Sequence, residues 1–481
     1  MTEHPLSHQG KMRLPAAGGA GAGGRRMSLG RAAVLWFGAV GLASATQLIP
    51  APGTDDAPAE FGAGADLTTA PRVNVDKPVE IIPLYQRDKR IHGLKPVQAL
   101  IDATAAGGTL RLPAGNYAGP AHVTQAITIV GEGDVTIDGG DKGTVVVVDA
   151  SNVTLKNLHL TGSGESHDSD DACLNVRGHH NHFEGLTIDN CLFGVDLKQS
   201  DDNVIVGNSI RSKPFELGVR GDGLRLWYSH RNRVERNEVI DTRDMVAWYA
   251  NDNIYRGNIG RRSRYSIHFM FANRNIVEDN QFYDNAVGVY FMYTEGGAAR
   301  RNLISHANGA AGMALGFKES SNIDVEDNEI VYCAVGVGSD LSPFQPDTTI
   351  RFARNRFAYN GIAVQFTSEL GGNVLTDNTF EGNLADVAQG GRGKGNMNRW
   401  AGNYFDTYQG FDLDGDGVGD RPHEHYAYAD RIWMEFPDAR FFASAPVLEL
   451  LDFLERLAPF SSPEMMLRDD APRVRPLERK A

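Results

Sequence analysis

The sequence predicts an all-β fold, a right-handed parallel β-helix of about 10–12 rungs, and two observations favour it. An Asn recurs at an average spacing of about 25 residues, and short runs rich in Val, Ile, Phe and Tyr separate the recurrences. Repeats of this length cannot bury an apolar face alone, so they stack on one another as a solenoid. The recurring residues are Asn157, Asn208, Asn237, Asn258, Asn280, Asn302, Asn328, Asn355, Asn378 and Asn403, with Gly185 in one repeat.

The Asn repeat also predicts how the rungs are held together. Leucine-rich repeats have a similar length, but their Leu-x-x-Leu-x-Leu skeleton is absent from this sequence. In a β-helix each rung lies about 4.8 Å from the next, and the Asn would mark one corner. Asn tolerates the left-handed backbone of tight turns, and a column of Asn side chains can form a hydrogen-bonded ladder. We therefore expect the Asn column at a turn.

The N-terminal part of the chain is predicted to be processed or unstructured. We predict an export signal over residues 1–45, because Arg25 and Arg26 precede a short apolar run and an Ala-x-Ala cleavage site. The signal fits either the Sec or the twin-arginine route. Residues 46–75 are rich in Ala, Pro, Gly and Asp and are predicted to be a disordered linker.

The remaining chain is predicted to form the solenoid and a C-terminal extension. The β-helix would span residues 76–420, with a short amphipathic helix within 95–105 that caps its first strand. The extension, 421–481, contains a strongly apolar helix over 446–457. Two roles for this helix are open: a second cap on the stack, or a docking segment for a partner.

Composition excludes one class of partner. The net charge is −14 at pH 7, and the predicted signal carries more basic than acidic residues, so the exported chain is still more acidic. We expect no nucleic-acid partner, because an acidic protein is repelled by phosphate backbones. The three cysteines, Cys173, Cys191 and Cys333, are too few for a disulfide framework. Whether Cys173 pairs with Cys191 or both are buried thiols is open.

Four consecutive repeats share a strand pattern once their Asn corners are aligned. The strands span residues 224–228, 245–249, 267–271 and 289–293, and side chains alternate across each strand. The predicted inward residues are Leu224, Met245, Ile267 and Val289, together with Leu226, Ala247, Phe269 and Phe291. The predicted outward residues form one column of Trp227, Trp248, Met270, Met292 and then Phe317, and a second of Arg225, Val246, His268, Tyr290 and then Leu315, with Met313 nearby.

This outward strip predicts a functional surface. Contiguous exposed apolar groups usually mark an interaction site. Thioether sulfur and imidazole favour Cu(I) over hard cations, so the copper-ligand candidates are Met270, Met292, His268 and Met313. The candidates for a protein-docking face are Trp227, Trp248, Tyr290 and Phe317. The alternative that the two faces are inverted, or that another segment covers the strip, is also open.

A second motif predicts a hard-cation site. Carboxylates alternate with Gly in a run whose members are Asp412, Asp414, Asp416 and Asp420. Such spacing lets the backbone wrap around Ca²⁺ with oxygen ligands. The bidentate Glu expected at the twelfth position of a calcium loop is replaced by His423. A structural Ca²⁺ loop and a solvated acidic turn are therefore both open.

Several longer runs resemble the NosD family. They lie at residues 243–253, 262–270, 402–417 and 428–433, within a resemblance that covers roughly residues 85–470. The resemblance implies a β-helix of the carbohydrate-binding and sugar-hydrolase repeat type, located in the periplasm and used for copper handling in nitrous oxide reductase maturation. It also implies four partners: the membrane and ATPase subunits of an ABC transporter, a copper chaperone lipoprotein and the reductase. On this interpretation the chain delivers Cu(I), or helps to assemble a copper–sulfide centre, without catalysing a reaction.

Two other function classes are consistent with a β-helix. The first is a polysaccharide lyase, hydrolase or epimerase that acts on acidic glycans. Glycoside hydrolysis needs two carboxylates beside one bond, and the candidates are Asp168, Asp170, Asp171, Asp222 and a pair of Asp196 with Arg225 on adjacent rungs. A strip of Trp and Met is unlike a charged sugar cleft, which disfavours this class. The second is a surface or adhesion protein without a ligand.

Overall fold

The strands stack into a right-handed parallel β-helix of about 13 turns, which confirms the predicted fold class. A computed structural model describes residues 81–82, 84–309, 311–368, 370–389, 395–427, 445–457 and 464–477. The predicted export signal and linker lie outside these residues. Each turn contributes three strands, which we call faces 1, 2 and 3 in chain order. Face 1 is a separate 12-stranded sheet, whereas faces 2 and 3 are joined in one 27-stranded sheet.

Face 1 carries the strip singled out in the sequence. Its strands are Ala121–Val123, Val146–Val148, Ala172–Val176, Phe193–Lys198, Leu224–Trp227, Asp244–Trp248, Tyr265–Met270, Val287–Met292, Met313–Lys318, Val335–Asp340, Ile362–Phe366 and Ala385–Gln389.

Faces 2 and 3 are built from shorter strands. Those of face 2 are Thr154–Lys156, His182–Glu184, Val204–Val206, Arg233–Glu235, Ile254–Arg256, Asn275–Glu278, Glu295–Arg300, Ser321–Glu326, Ile350–Ala353, Val374–Thr376 and Arg399–Ala401. Those of face 3 are His159–Thr161, Thr187–Cys191, Ser209–Ser212, Glu238–Ile240, Ile259–Arg261, Gln281–Tyr283, Leu303–Ser305, Glu329–Val331, Arg356–Ala358, Thr379–Glu381 and Tyr404–Phe405.

The first turns begin with longer strands and a cap. Thr128–Asp138 pairs with the first strands of both face 2 and face 3, and Thr109–Ala118 lies beside it. The predicted capping helix is present as Val97–Asp102, preceded by the short strand Lys95–Pro96, and it buries Val97 and Ile101. Within the described residues, the other short helical turns are Leu84–Gln86, Lys89–Ile91, Leu217–Val219 and Gly395–Met397.

Buried Asn side chains form the predicted ladder at the corner between faces 2 and 3. Within it, the Oδ1 of Asn280 accepts the backbone N–H of Asn258 at 2.8 Å and its Nδ2–H at 3.0 Å. The Nδ2 of Asn280 donates to the Tyr255 carbonyl at 2.9 Å and to Asn302 Oδ1 at 2.9 Å. A second Asn column of the same kind lies between faces 1 and 2 and consists of Asn181, Asn203, Asn232, Asn253 and Asn275.

Two details of the predicted Asn column are wrong. The left-handed corner residue is not the ladder Asn but the residue before it, as at Arg236 (φ 52) and Asp279 (φ 58). Asn157 is exposed and left-handed (φ 54), and it belongs to this preceding position, as does Gly185 (φ 64). The ladder position of that rung is apolar: Leu186 donates its N–H to Asn208 Oδ1. The ladder Asn side chains thus make hydrogen bonds between rungs, and the residue before each of them adopts the left-handed backbone conformation.

A C-terminal strand closes the last rung. Glu464–Asp469 pairs antiparallel with His423–Ala427, and it also joins the last strand of face 2 through Asp469 beside Trp400. The fully buried Asp469 continues the ladder, because its Oδ2 accepts the N–H and the Nδ2–H of Asn403 at 2.9 and 2.8 Å. This strand caps the stack, whereas Pro446–Leu457, the predicted helix, does not contribute a rung.

The structure also decides the state of the cysteines. Cys173 and Cys191 form a disulfide with a Cα–Cα distance of 5.6 Å, and both are fully buried. Cys333 is a buried thiol, and burial raises its pKa to about 12. A disulfide agrees with an exported protein, because such bonds persist in oxidising compartments.

The ladder predicts a large effect for a single Asn. Asn280→Ala removes four hydrogen bonds and leaves buried donors and acceptors on Asn258, Tyr255 and Asn302. We expect a loss of about 3 kcal/mol or more, since each unsatisfied buried group costs about 1–3 kcal/mol. Urea or thermal unfolding followed by circular dichroism measures it.

The matched control is Asp279→Asn in the same corner. Asp279 is 44% exposed and bonds to Arg301 on the next rung. Its exposed ion pair should contribute at most about 1 kcal/mol. Equal destabilisation by the two variants would contradict a dominant role for the ladder.

Candidate functional site

The register of face 1 brings the Trp and Met side chains into one outward column. Trp227 pairs with Trp248, Trp248 with Met270, and Met270 with Met292 on successive strands. The residues predicted to point inward are fully or almost fully buried in the core: Leu224, Leu226, Met245, Ala247, Ile267, Phe269, Val289 and Phe291. The alternative of inverted faces is therefore wrong. Met270 is 5% exposed, whereas Trp227, Trp248 and Met292 are half-buried.

The column ends differently from the prediction. Lys318, not Phe317, follows Met292, and Gly316, not Leu315, follows Tyr290. Phe317 is 1% exposed and stacks on Phe291 in the core, so its assignment to the docking face is wrong. A one-residue slip moves every side chain of a strand to the opposite face, and the sequence alignment slipped by one here.

His268 lies on the same strand as Met270, two residues away, and both point outward. Their Cα atoms are therefore about 6.6 Å apart. The imidazole of His268 is enclosed by two tyrosines: Tyr265 stacks on it at 4.6 Å between ring centroids, and Tyr290 meets it edge-on at 5.9 Å. Burial raises the pKa of the Tyr290 hydroxyl above its usual value. His268, Met270 and Met292 thus form one compact group of soft donors.

The backbone of Met313 lies outside this group, but its side chain reaches along the strand to Gly316, beside the Tyr290 ring. It pairs with Val287 and lies five residues before Lys318, the neighbour of Met292. Five strand residues correspond to about 16 Å. Its sulfur lies over the sheet where the absence of side chains at Gly316 and Gly338 leaves room: a Cβ at Gly316 would lie 2.9 Å from Met313 Sδ.

The sequence interpretation missed a second aromatic column beside the first. Tyr228, Tyr249, Phe271 and Tyr293 follow the outward column at the corner after face 1 and stack with centroid distances of 4.8, 5.1 and 4.7 Å. All four have left-handed backbones, which are rare for bulky residues. The sequence could have predicted this column, because each of its members directly follows a member of the Trp and Met column. They extend the apolar surface around the corner.

The outward column is bounded on its N-terminal side by charged groups. Arg225 binds Asp196 with Nε–Oδ1 at 2.8 Å and Asp170 with Nη2–Oδ1 at 2.9 Å, and its guanidinium lies 4.2 Å above the Phe193 ring. Lys198 binds Asp170 at 2.6 Å. Burial acts to lower the pKa of Arg225, but Asp196 and Asp170 outweigh it and raise the pKa. Burial likewise acts to raise the pKa of Asp170, yet Arg225 and Lys198 hold it below its usual value.

The other carboxylates considered for glycan chemistry lie in separate contacts. Asp222 binds Arg243 at 2.9 Å, and its burial raises its pKa despite that contact. Asp171 is buried and accepts the N–H of Ser166 at 3.0 Å. Asp168 is exposed. The Asp196–Arg225 contact on adjacent rungs is present as predicted, but it is a closed, bidentate ion pair.

The acidic loop has the geometry of a turn wrapped around its own carboxylates. Asp412, Asp414 and Asp416 each place one carboxylate oxygen within 4.8 Å of the others. Asp412 accepts N–H groups from Gly415, Asp416 and Gly417 at 2.7–3.1 Å. Asp420 instead accepts the N–H of Leu413 at 2.6 Å, across the loop.

The helix Pro446–Leu457 exposes apolar side chains along one stripe. The exposed fractions are 75% for Val447, 56% for Leu450, 45% for Leu454 and 66% for Leu457, with Phe453 beside them at 57%. Spacings of three and four residues put these side chains on one side of a helix. No helix among the described residues has the length and apolarity to cross a membrane.

The stacked strands and the repeat place the chain among the right-handed β-helix proteins. Residues 143–259 match the family model described as right-handed β-helix region, in agreement with the stacked strands. Residues 206–410, which contain the outward Trp and Met column, match the model described as periplasmic copper-binding protein (NosD). A curated relative from Pseudomonas aeruginosa, "Probable ABC transporter binding protein NosD", is 26% identical over 76% of this chain and 88% of its own length. The family-model match and this relative both support the resemblance of the chain to the NosD family.

Further matches are to a second curated relative and to solved structures. A second "Probable ABC transporter binding protein NosD", from Stutzerimonas stutzeri, is 28% identical over 22% of this chain and 24% of its own length. Among solved structures, the A-module of mannuronan C-5 epimerase AlgE6 from Azotobacter vinelandii has a TM-score of 0.48 at 16% identity, covering 67% of this chain and 99% of that module. A complex of alginate lyase AlyF-OU02 has a TM-score of 0.46 at 15% identity, covering 68% and 90%.

Proposed function

We propose that this chain is a periplasmic, non-catalytic accessory protein that receives Cu(I) and presents it to a client with the help of an ABC transporter. The client would be nitrous oxide reductase, whose copper–sulfide centre is assembled, and a copper chaperone lipoprotein would supply the metal. The family description "periplasmic copper-binding" and the relatives' name "ABC transporter binding protein" support the coarse role.

One observation carries the copper proposal. His268, Met270 and Met292 lie on two adjacent strands of an outward face that also carries Trp and Tyr rings. Two thioethers and an imidazole suit Cu(I), whereas hard cations prefer oxygen. The low exposure of Met270 would shield a bound ion from water. Trp227, Trp248 and Tyr290 surround the donors and would form the docking surface for the protein that gives or takes the metal.

The copper proposal predicts a specific loss of affinity. Met270→Leu/Met292→Leu removes both sulfurs while nearly conserving side-chain volume. We expect Cu(I) affinity to fall by at least about 100-fold, since losing even an outer-shell partner typically costs 10–100-fold. Competition with a Cu(I) chelator under anaerobic conditions measures it.

The matched control for this experiment is Met397→Leu, at an exposed methionine in the turn Gly395–Met397, outside face 1. It should bind Cu(I) as wild type does. Equal affinity of the double variant and wild type would remove Met270 and Met292 as ligands. Turnover of alginate or pectin by the wild-type protein at ordinary rates would instead favour the polysaccharide lyase, hydrolase or epimerase class.

We propose the exposed stripe of Pro446–Leu457 as the docking element for the transporter. The C-terminal strand already closes the β-helix, so the helix is not needed as a cap. An amphipathic helix can lay such a stripe into an apolar groove of a partner. The groove would belong to a membrane subunit of the transporter, with the ATPase subunit on its far side.

This docking role predicts a binding defect without a folding defect. Leu450→Glu/Leu454→Glu should weaken binding to the purified transporter by at least about 100-fold, because each buried Leu contributes about 1.5–3 kcal/mol. Leu384→Glu, at a residue that is 82% exposed on the β-helix, is the control and should bind normally. Unchanged binding of the double variant, measured by interferometry, would contradict the helix as the docking element.

The acidic loop is proposed as a structural Ca²⁺ site formed by Asp412, Asp414 and Asp416, with Asp420 holding the loop closed. Ca²⁺ should then raise the unfolding midpoint, and saturation at 100 times Kd corresponds to about 2.7 kcal/mol. Asp414→Asn/Asp416→Asn should abolish the shift. A midpoint that does not respond to Ca²⁺ or to a subsequent chelator would identify the loop as a solvated turn.

A further inference from the structure

Trp248 lies directly beside the proposed thioether pair. It occupies the same outward column, one rung before Met270 and two rungs before Met292. Adjacent rungs are about 4.8 Å apart, so the indole of Trp248 and the sulfur of Met270 are neighbours on the surface. The sequence alone assigned Trp248 to a protein-docking face; its position next to soft donors suggests a second role.

The two indoles of this column hold each other in a fixed arrangement. Trp227 and Trp248 form a T-shaped pair with a centroid distance of 4.7 Å and an interplanar angle of 79°. In such a pair the edge of one ring meets the face of the other. The Trp227 Nε1 is buried and has no hydrogen-bond acceptor among the described residues, which fits Trp227 as the ring that supplies the edge. With Trp227 supplying the edge, one face of Trp248 would be covered by Trp227 and the other would be available to the rung of Met270.

We propose that Trp248 forms an aromatic wall of the Cu(I) site and contacts the bound ion through its π face. Indole is the best cation–π partner among the side chains, at distances up to about 6 Å from the ring centroid. His268, Met270 and Met292 would supply the coordinating atoms, and the indole would exclude water from one side of the ion. This inference rests on the proposed copper role and adds a fourth residue, with a spectroscopic signature of its own.

The surroundings of the donors support an enclosed site for a weakly hydrated univalent ion. Tyr265 and Tyr290 enclose His268 on the opposite side of the column from Trp248. Lys318 follows Met292 in the column and closes the strip at that end. Val246 pairs with His268 on the preceding rung, and the column from Trp227 to Lys318 contains no carboxylate. A divalent ion that prefers oxygen ligands is disfavoured there.

Tryptophan fluorescence tests the contact directly. The full-length exported protein is titrated with Cu(I) under anaerobic conditions and, in parallel, with Ag(I) as a redox-stable univalent probe. We expect quenching of wild-type emission that saturates at the same stoichiometry as binding measured by chelator competition. Trp248→Leu should lose this quenching and bind about 3- to 30-fold more weakly, the factor that a cation–π contact provides. Unfolding midpoints of the variants, followed by circular dichroism, establish that each is folded.

Trp400→Phe is the control, because it removes an indole on face 2, outside the Trp and Met column. It should retain metal-dependent quenching and near-wild-type affinity. Wild-type binding that depends on Met270 and Met292 but leaves Trp248 emission unchanged would overturn the aromatic wall while the copper role stands. Full affinity in Trp248→Leu would overturn it as well. Absence of Cu(I) and Ag(I) binding in wild type would overturn both the wall and the copper role.

Discussion

The in-register stacking of rungs is the constraint on which the rest of this structure depends. Each rung pairs with the next through parallel strands on three faces, and Asn side chains join rungs at all three corners. Residues at the same position of successive rungs therefore contact one another, and a residue type that recurs with the repeat forms a continuous column. The ladder amides bond to backbone groups that would otherwise be buried without partners, and this makes the register costly to change.

The same constraint builds the candidate site. Because the strands of face 1 are in register, Trp227, Trp248, Met270 and Met292 form one line, and Tyr228, Tyr249, Phe271 and Tyr293 form a second line around the corner. Each left-handed backbone costs about 1 kcal/mol or more in strain. Stacking of the rings at the rung spacing offsets this cost. The strip is thus a rigid surface, and the proposed metal donors are positioned by the sheet and not by a loop.

Function within this fold depends on which side chains line a face. The carboxylates near the strip are held in ion pairs, as in the Asp196, Asp170 and Arg225 group. This arrangement places charge at the edge of the apolar surface. It differs from the two carboxylates on either side of a glycosidic bond that glycoside hydrolysis needs. The exposed stripe of Pro446–Leu457 is a second, separate surface at the C-terminal end. These two surfaces agree with the proposed function, in which the strip binds Cu(I) and the helix binds the transporter.

The sequence by itself determined the fold class, the repeat length, the strand registers from Leu224 to Met292 and the N-terminal capping helix, because period-2 alternation and a recurrent Asn are local signals. It did not determine the register one rung later, where Gly316 and Lys318 replace the expected Leu315 and Phe317. Turn lengths vary between rungs, and a slip of one residue inverts a strand. A column of small residues after each face-1 corner, including Ser229, Ala250, Ala272, Thr294 and Ser320, carried the missing signal. Only the tertiary structure decided the Cys173–Cys191 disulfide, the closing role of Asp469 and the aromatic corner, since each joins residues whose proximity depends on the stacking of the whole solenoid.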